Sequence, residues 1–361
     1  MWLAAWGISR FATRPARGSA PHPGVTLLKP LKGDEGGLYA NLSSFIEASR
    51  ENVQLIFGVR DRTDPAAAIV ERLAREHPER DLTLVVDGRV HGQNPKVSNL
   101  LNMLDLARHD LLVFSDSDVR VGPGYLEAVT APLEDEAVGL VTCLYLGRSE
   151  GDLWSRLGAL WVNYAFLPSV LVAQGLGVGN GCFGATLALR RRTLDAIGGL
   201  HPLRDLLADD YALGAAVRAS GKRVVVCPQL VEIVVSEKTA ARLISHEIRW
   251  LRTIRSIEPW GYAGMLVTHP LVLGLLGLAL APATPQAWAV IALALASRLH
   301  LVARVDRAFG LKVPPLWTLI LRDFLSFGLF LATFTGSRVA WRDQSFRVAR
   351  DGTLVHDEGA S

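Results

Sequence analysis

Asp110-Leu-Leu-Val-Phe-Ser-Asp-Ser-Asp118 decides the fold. The unbroken apolar run at 111–114 reads as a strand buried on both faces, and such strands belong to parallel sheets covered by helices. The strand ends in two carboxylates at positions i and i+2. Acids at the end of a buried strand are costly unless a ligand or a metal meets them. Two of them can face one cleft, hold a divalent cation and, through it, a diphosphate. The same triplet also occurs in exposed turns, so the triplet alone leaves both readings open.

The stretch before it repeats the pattern. Val25–Lys29, Val53–Val59 and Leu82–Asp87 read as strands; Leu38–Ser49, Pro65–His77 and Lys96–Ala107 have helical spacing. Alternating strands and helices predict an α/β domain with a mostly parallel sheet. Ligands of such sheets bind beyond the carboxyl ends of the strands. Those ends carry Lys29-Pro30, Asp61, Asp87 and Asp116. Residues 12–23, rich in Arg, Pro, Ala and Gly, read as a linker.

Three further motifs and a glycine-rich stretch carry possible chemistry. Asp209-Asp210-Tyr211 opens a helical pattern; its acids serve equally as a helix start or as a general base. In His246-Glu-Ile-Arg-Trp250, Arg249 suits a diphosphate and Trp250 a sugar or acceptor, while an amphipathic helix at a membrane surface uses the same residues. In Asn94-Pro-Lys96-Val-Ser-Asn99, Lys96 can meet a phosphate or simply open a helix after a Pro turn. Gly175–Gly184 lacks the phosphate-loop and dinucleotide patterns and reads as a loop allowing close backbone approach to a ligand, or as a flexible connection between two parts of the fold.

Half of the 361 residues are hydrophobic and the mean hydropathy is +0.24, which directs attention to membrane segments. A net charge of +3 is too small to argue for nucleic acid, and none is expected as a partner. Cys143, Cys182 and Cys227 form no metal pattern and no disulfide framework, so a reducing compartment is the simplest reading. Met1–Phe11 is apolar but too short to span, and reads as an interfacial anchor or the remnant of a longer helix. Met265–Pro282 and Ala287–Ala303 read as a transmembrane hairpin with basic flanks in the cytoplasm. The apolar stretch 316–336 contains Arg322-Asp323, expensive at the bilayer centre, which predicts a re-entrant or interfacial segment.

In this order and spacing, Leu28-Lys-Pro-Leu-Lys-Gly33, Phe57-Gly-Val-Arg-Asp61, Asn94–Asn99, Ser115–Asp118, Asp209–Tyr211 and His246–Trp250 resemble the ceramide glucosyltransferase group of inverting glycosyltransferases, most of all its bacterial hopanoid-associated branch. The resemblance runs from Gly24 to the C-terminus. It implies a GT-A, Rossmann-like domain at 24–235, preceded by an anchor and linker at 1–23. After it come an interfacial segment at 236–262, membrane helices at 263–337 and a basic tail at 338–361. It implies Asp61 and Asp81 at the nucleotide, Lys96 at the nucleotide-sugar, and Asp116 and Asp118 on a Mg2+ or Mn2+ ion and the diphosphate. Asp210 becomes the catalytic base, and Arg249 and Trp250 close on the diphosphate and acceptor. By strand position Asp87 competes with Asp81. The implied partners are a UDP-sugar (N-acetylglucosamine first, glucose second), a lipid hydroxyl of a hopanoid or ceramide-like acceptor, and the bilayer. The implied location is a bacterial inner membrane, with the catalytic domain in the cytoplasm. His246 departs from the Gln or Arg of the ceramide enzymes, and Asp118 from their Gly. A polysaccharide synthase would need more membrane helices. A non-catalytic scaffold would bind no UDP with Mn2+.

Overall fold

A computed structural model describes residues 1–13, 24–34, 37–280, 284–336, 338–341, 344–348 and 353–356. Most of the expected linker at 12–23 and much of the expected tail lie outside these residues. The chain divides into two compact units: Pro15–Glu150 with Asn180–Ser236, and Met1–Arg14 with Gly151–Gly179 and Glu237–Ser361.

The first unit is α/β. Its strands are β1 (Val25–Pro30), β2 (Val53–Val59), β3 (Asp81–Val86), β4 (Leu111–Phe114), β5 (Val119–Arg120), β6 (Val138–Ser149), β7 (Leu187–Arg190) and β8 (Arg223–Val235). They form one sheet in the order β3-β2-β1-β4-β7-β6-β8-β5. Strands β1 to β4 are parallel, as their apolar runs require; Leu27 of β1 lies between Leu55 of β2 and Val113 of β4. Every residue of β1, β2 and β4 is buried. Strand β7 runs antiparallel to both β4 and β6, pairing Leu187 with Phe114 and with Thr142. The segment that enters β7 therefore arrives at the rim where β4 ends.

Helices Pro95–Leu104 and Asp209–Ala219 are held by the apolar core. Val97, Leu100 and Met103 from one, and Leu213 and Val217 from the other, join Leu28, Ile56, Leu112 and Phe114 of the sheet in one buried cluster. Each such side chain contributes roughly 1.5–3 kcal/mol on burial. Packing against the sheet is tight at Gly58, where a Cβ would lie 2.2 Å from Asn99 Oδ1 and 2.5 Å from Met103 Sδ. Asn99 Nδ2 donates to the Gly58 carbonyl at 2.8 Å. This approach sets the start of the helix that carries Lys96.

The second unit is mostly helical, with a small antiparallel sheet of β9 (Arg338–Trp341), β10 (Gln344–Val348) and β11 (Leu354–His356). Among the described residues, three of its helices are long and apolar enough to cross a membrane: Leu153–Gly175, Pro285–Phe309 and Leu316–Thr335. The first lies inside the span 24–235 that sequence reading assigned to the catalytic domain, and it belongs instead with the helical unit. Arg156, Asn163, Pro168 and Gln174 interrupt its apolar run and hide it from inspection.

Two later segments are shaped differently from the expectation. Leu316–Ala332 is one unbroken helix, continued by a 3-10 turn, rather than re-entrant. Its charges are partnered, which removes the cost that suggested otherwise. Arg322, fully buried, meets Glu247 through two bonds of 2.7 Å, and Arg298 meets Asp323 at 2.7 Å. The expected hairpin leg at 265–282 is bent: Pro259–Thr268 and Pro270–Leu280 meet at 66°. Pro270 follows a 3-10 turn and supplies no backbone N–H to continue a helix across the break. Helix Trp2–Ala12 buries Ala4, Ala5, Ile8 and Phe11 and exposes Trp2, Leu3 and Trp6.

Candidate active site

The carboxyl ends of β1 to β4 define one rim of the sheet. Asp61, Asp87 and Asp116 follow the ends of β2, β3 and β4 at this rim. The N–H and hydroxyl of Thr63 both donate to Asp61 at 2.8 Å and hold its carboxyl below the ordinary range. Asp81, expected beside the nucleotide, does not share this rim. It begins β3 rather than ending it, and pairs with Arg108 in the segment before β4. Its strand runs five residues on to Val86, about 17 Å at ordinary strand rise, so Asp81 belongs to the opposite rim. Asp87 takes the strand-end position.

Lys96 organises the centre. Asn94 caps its helix, accepting from the amides of Lys96 (2.9 Å) and Val97 (3.1 Å). The Asn94 amide donates in turn to the Leu206 carbonyl at 2.8 Å and to Asp209 Oδ1 at 3.3 Å. One side chain thus fastens two helix starts together. Lys96 Nζ lies 2.7 Å from Asp116 and 3.4 Å from Asp209. Burial alone would lower its pKa, but the charges of Asp116, Asp209 and Asp210 outweigh that and hold it above the ordinary lysine value.

Gly184 sits among the charged tips. A Cβ placed there would lie 3.1 Å from Lys96 Nζ, 3.2 Å from Asp210 Oδ2 and 3.4 Å from Asp116 Oδ2. Its N–H donates to Asp210 Oδ2 at 2.7 Å. The neighbouring Phe183 exchanges two backbone bonds with the Thr142 hydroxyl, at 2.8 and 2.9 Å, which pins the loop to β6. Gly184, the last residue of the glycine-rich stretch, thus brings its backbone up to Asp210. Burial, then the charge of Asp209, push Asp210 up to about 6, with Lys96 opposing. A carboxylate in this range is ionised near neutrality yet basic enough to accept a proton.

The structure thus brings Lys96, Asp116 and Asp210 together. Asp118 belongs to the same electrostatic group, because its charge and that of Asp116 act on both Lys29 and Tyr145. Asp209 is the buried partner of Lys96 and Asn94, which leaves Asp210 as the acid bonded to Gly184. Sequence reasoning assigned no role to Lys29, Tyr145 or Gly184. Tyr145 lies within an ordinary strand pattern, and only the packing of the rim reveals it and the partners of Lys29, whose place at a strand end was legible.

Arg249 and Trp250 belong to the helical unit, on helix Ala240–Ile257. There Trp250 packs against Trp161 at 5.4 Å and edge-on to His246 at 4.5 Å, and His246 Nδ1 is 2.7 Å from Glu237. All three cysteines are free and buried.

Among the described residues, no three His, Cys, Asp or Glu side chains are grouped to hold a metal ion. Asp116 and Asp118 offer hard oxygen donors, and the Asp116 side chain keeps 36% of its surface exposed while Asp209 keeps 11%. Two carboxylates suit Mg2+ or Mn2+ but leave most of an octahedral shell to other oxygens, such as those of a diphosphate.

A mixed sheet with its acids at this rim is the GT-A arrangement of nucleotide-sugar enzymes. The mannosyltransferase PcManGT from Pyrobaculum calidifontis, solved in complex with GDP-Man and Mn2+, has the same fold: TM-score 0.52 and 20% identity over 92% of this chain and 94% of that one. The chain belongs to Glycosyl transferase family 21, whose model matches residues 2–354. Ceramide glucosyltransferase 1 of Caenorhabditis elegans is 28% identical over 200 residues, 55% of this chain and 43% of that protein. Ceramide glucosyltransferase 3 of the same organism is 26% identical over 216 residues, with the same shares. The chain therefore spans less than half the length of these curated relatives. The ceramide side of the expected resemblance is met; its hopanoid side rests on the motifs alone.

Proposed function

We propose that this protein is a membrane glycosyltransferase that moves a sugar from a UDP-sugar to a lipid hydroxyl with inversion at the anomeric carbon. The observation that carries this reading is the meeting of Lys96, Asp116 and Asp210 around Gly184 at the carboxyl rim of the sheet. Family membership and the ceramide glucosyltransferase relatives support a glycolipid product. The apolar helices of the same chain support an acceptor that stays in the bilayer. The motif likeness favours N-acetylglucosamine over glucose as the sugar and a hopanoid or ceramide-like acceptor, at the cytoplasmic face of a bacterial inner membrane.

Each role follows from the chemistry of a side chain. Asp210, raised to about 6, takes the proton of the acceptor hydroxyl as that oxygen attacks. The Gly184 N–H keeps the carboxylate turned inward. Asp116 and Asp118 would hold Mg2+ or Mn2+, which would supply charge neutralisation to the departing diphosphate. Lys96, already paired with Asp116, adds a second positive charge there. Asp61, at the end of β2, meets the nucleotide. The motif likeness assigns Arg249 to the diphosphate and Trp250 to the acceptor.

The deciding experiment offers the purified protein, with membrane lipids, a panel of radiolabelled UDP-sugars, with and without EDTA. The expected result is one labelled lipid whose formation EDTA abolishes and Mn2+ or Mg2+ restores. Label in a polymer, or none from any UDP-sugar, defeats the proposal.

A further inference from the structure

Lys29 is an unusual residue for the middle of a parallel sheet. It lies in β1, between β2 and β4, and has no exposed surface. Lysine is almost never fully buried unless its charge is met. Its Nζ donates to the Asp116 carbonyl at 2.6 Å and lies 3.4 Å from the Ser115 hydroxyl. The ammonium also stands over the Phe45 ring, 3.7 Å from its centroid. The Asp116 carbonyl accepts a second bond, from the Val119 amide at 3.3 Å, which closes the turn carrying both acids.

We infer that Lys29 is the positioning residue of the Asp116-Ser-Asp118 turn, holding it through the Asp116 carbonyl so that both carboxylates stand ready for the donor diphosphate and its cation. The inference rests on the glycosyl-transfer reading above. Packing alone does not account for a lysine here. The neighbouring Val25, Leu27 and Leu28 fill their places without charge, and a methionine of similar length would avoid the desolvation of an ammonium. The two side-chain bonds of Lys29 both go to residues 115 and 116, at the start of the turn. Its charge also offsets the repulsion between two acids placed two residues apart.

The test is Lys29→Met in the full-length protein. The expected variant folds with a Tm equal to or above that of the wild type. Its Val119 amide exchanges about tenfold faster or more, because the carbonyl that accepts it has lost its anchor. The donor KM and the Mn2+ concentration for half-activation each rise about tenfold, while the acceptor KM holds. A lysine with a structural role only would lower Tm and leave the donor KM in place, and that outcome overturns the inference, as does wild-type exchange at Val119. Should wild-type protein transfer no sugar, the functional reading falls and Val119 exchange alone decides Lys29. Should Lys29→Met not fold, Phe45→Leu, which removes the ring under the ammonium, is read in the same way. Faster Val119 exchange then supports the inference and an unchanged rate defeats it.

Discussion

The two units of this molecule bury charge in opposite ways. In the helical unit two balanced pairs, Arg322 with Glu247 and Arg298 with Asp323, carry most of the buried charge, while the buried Asp306 accepts from the Tyr164 hydroxyl. At the rim of the α/β unit, four carboxylates (Asp116, Asp118, Asp209 and Asp210) interact with two ammonium groups, Lys29 and Lys96. With every group ionised, two negative charges are left over, which a single divalent cation would match. A balanced pair needs nothing further and fastens helices together. An unbalanced cluster beside solvent is poised for a ligand. Charge balance therefore separates these two pairs from the rim cluster.

Substitutions can break that comparison, starting with the largest effect. Asp210→Asn should keep UDP binding, measured by calorimetry with Mn2+, and lower transfer by about two to four orders of magnitude. Near-normal turnover would remove Asp210 from the role of base. In the helical unit, Arg322→Met should destabilise by about 3–5 kcal/mol in detergent unfolding, because Glu247 is left buried and unpaired. Adding Glu247→Met should recover most of that loss. A double variant as unstable as the single one would mean that the pair does more than balance itself.

Smaller effects sharpen the contrast. Gly58→Ala should cost about 1–3 kcal/mol by overpacking against Asn99 and Met103. It should also raise the donor KM by shifting the start of the Lys96 helix. A stability loss with unchanged KM would show that the helix start is held by Asn94 alone. The pH dependence follows from Asp210, whose folded pKa lies above its ordinary value of 3.8. Transfer should fall about tenfold per pH unit below about 6, as the base is protonated. Stability moves the other way: burying this acid favours the folded state at low pH, and the advantage is lost as pH rises from 3.8 through about 6. Asp210→Asn should accordingly unfold at a higher temperature than wild type above pH 6, with the difference closing towards pH 4. A constant difference across that range would place the origin of the shift elsewhere.

Much of the α/β sheet was legible in the sequence. Apolar runs at 25–29, 53–59, 82–87 and 110–115 mark β1 to β4 to within a residue or so, because a strand buried on both faces admits few polar side chains. The acids after β2 and β4 stood out for the same reason. Asp81 misled because spacing to a motif says nothing about which end of a strand a residue occupies. The membrane-length helix at 153–175 escaped because Arg156, Asn163, Pro168 and Gln174 break its apolar run. Arg322 suggested a re-entrant segment because its partner, Glu247, lies 75 residues away.

The sequence by itself determined the alternation of strands and helices, the acidic rim and the apolar character of the C-terminal third, since each follows from local pattern and the cost of burying polar groups. Only the tertiary structure decided that Lys96 sits between Asp116 and Asp209, that Gly184 lets Asp210 join them, and that a buried lysine reaches the turn of the two acids. Those facts depend on antiparallel β7 delivering its loop beside the end of β4, and on apolar packing setting two helix starts side by side. Both are long-range choices that no local stretch of chain encodes.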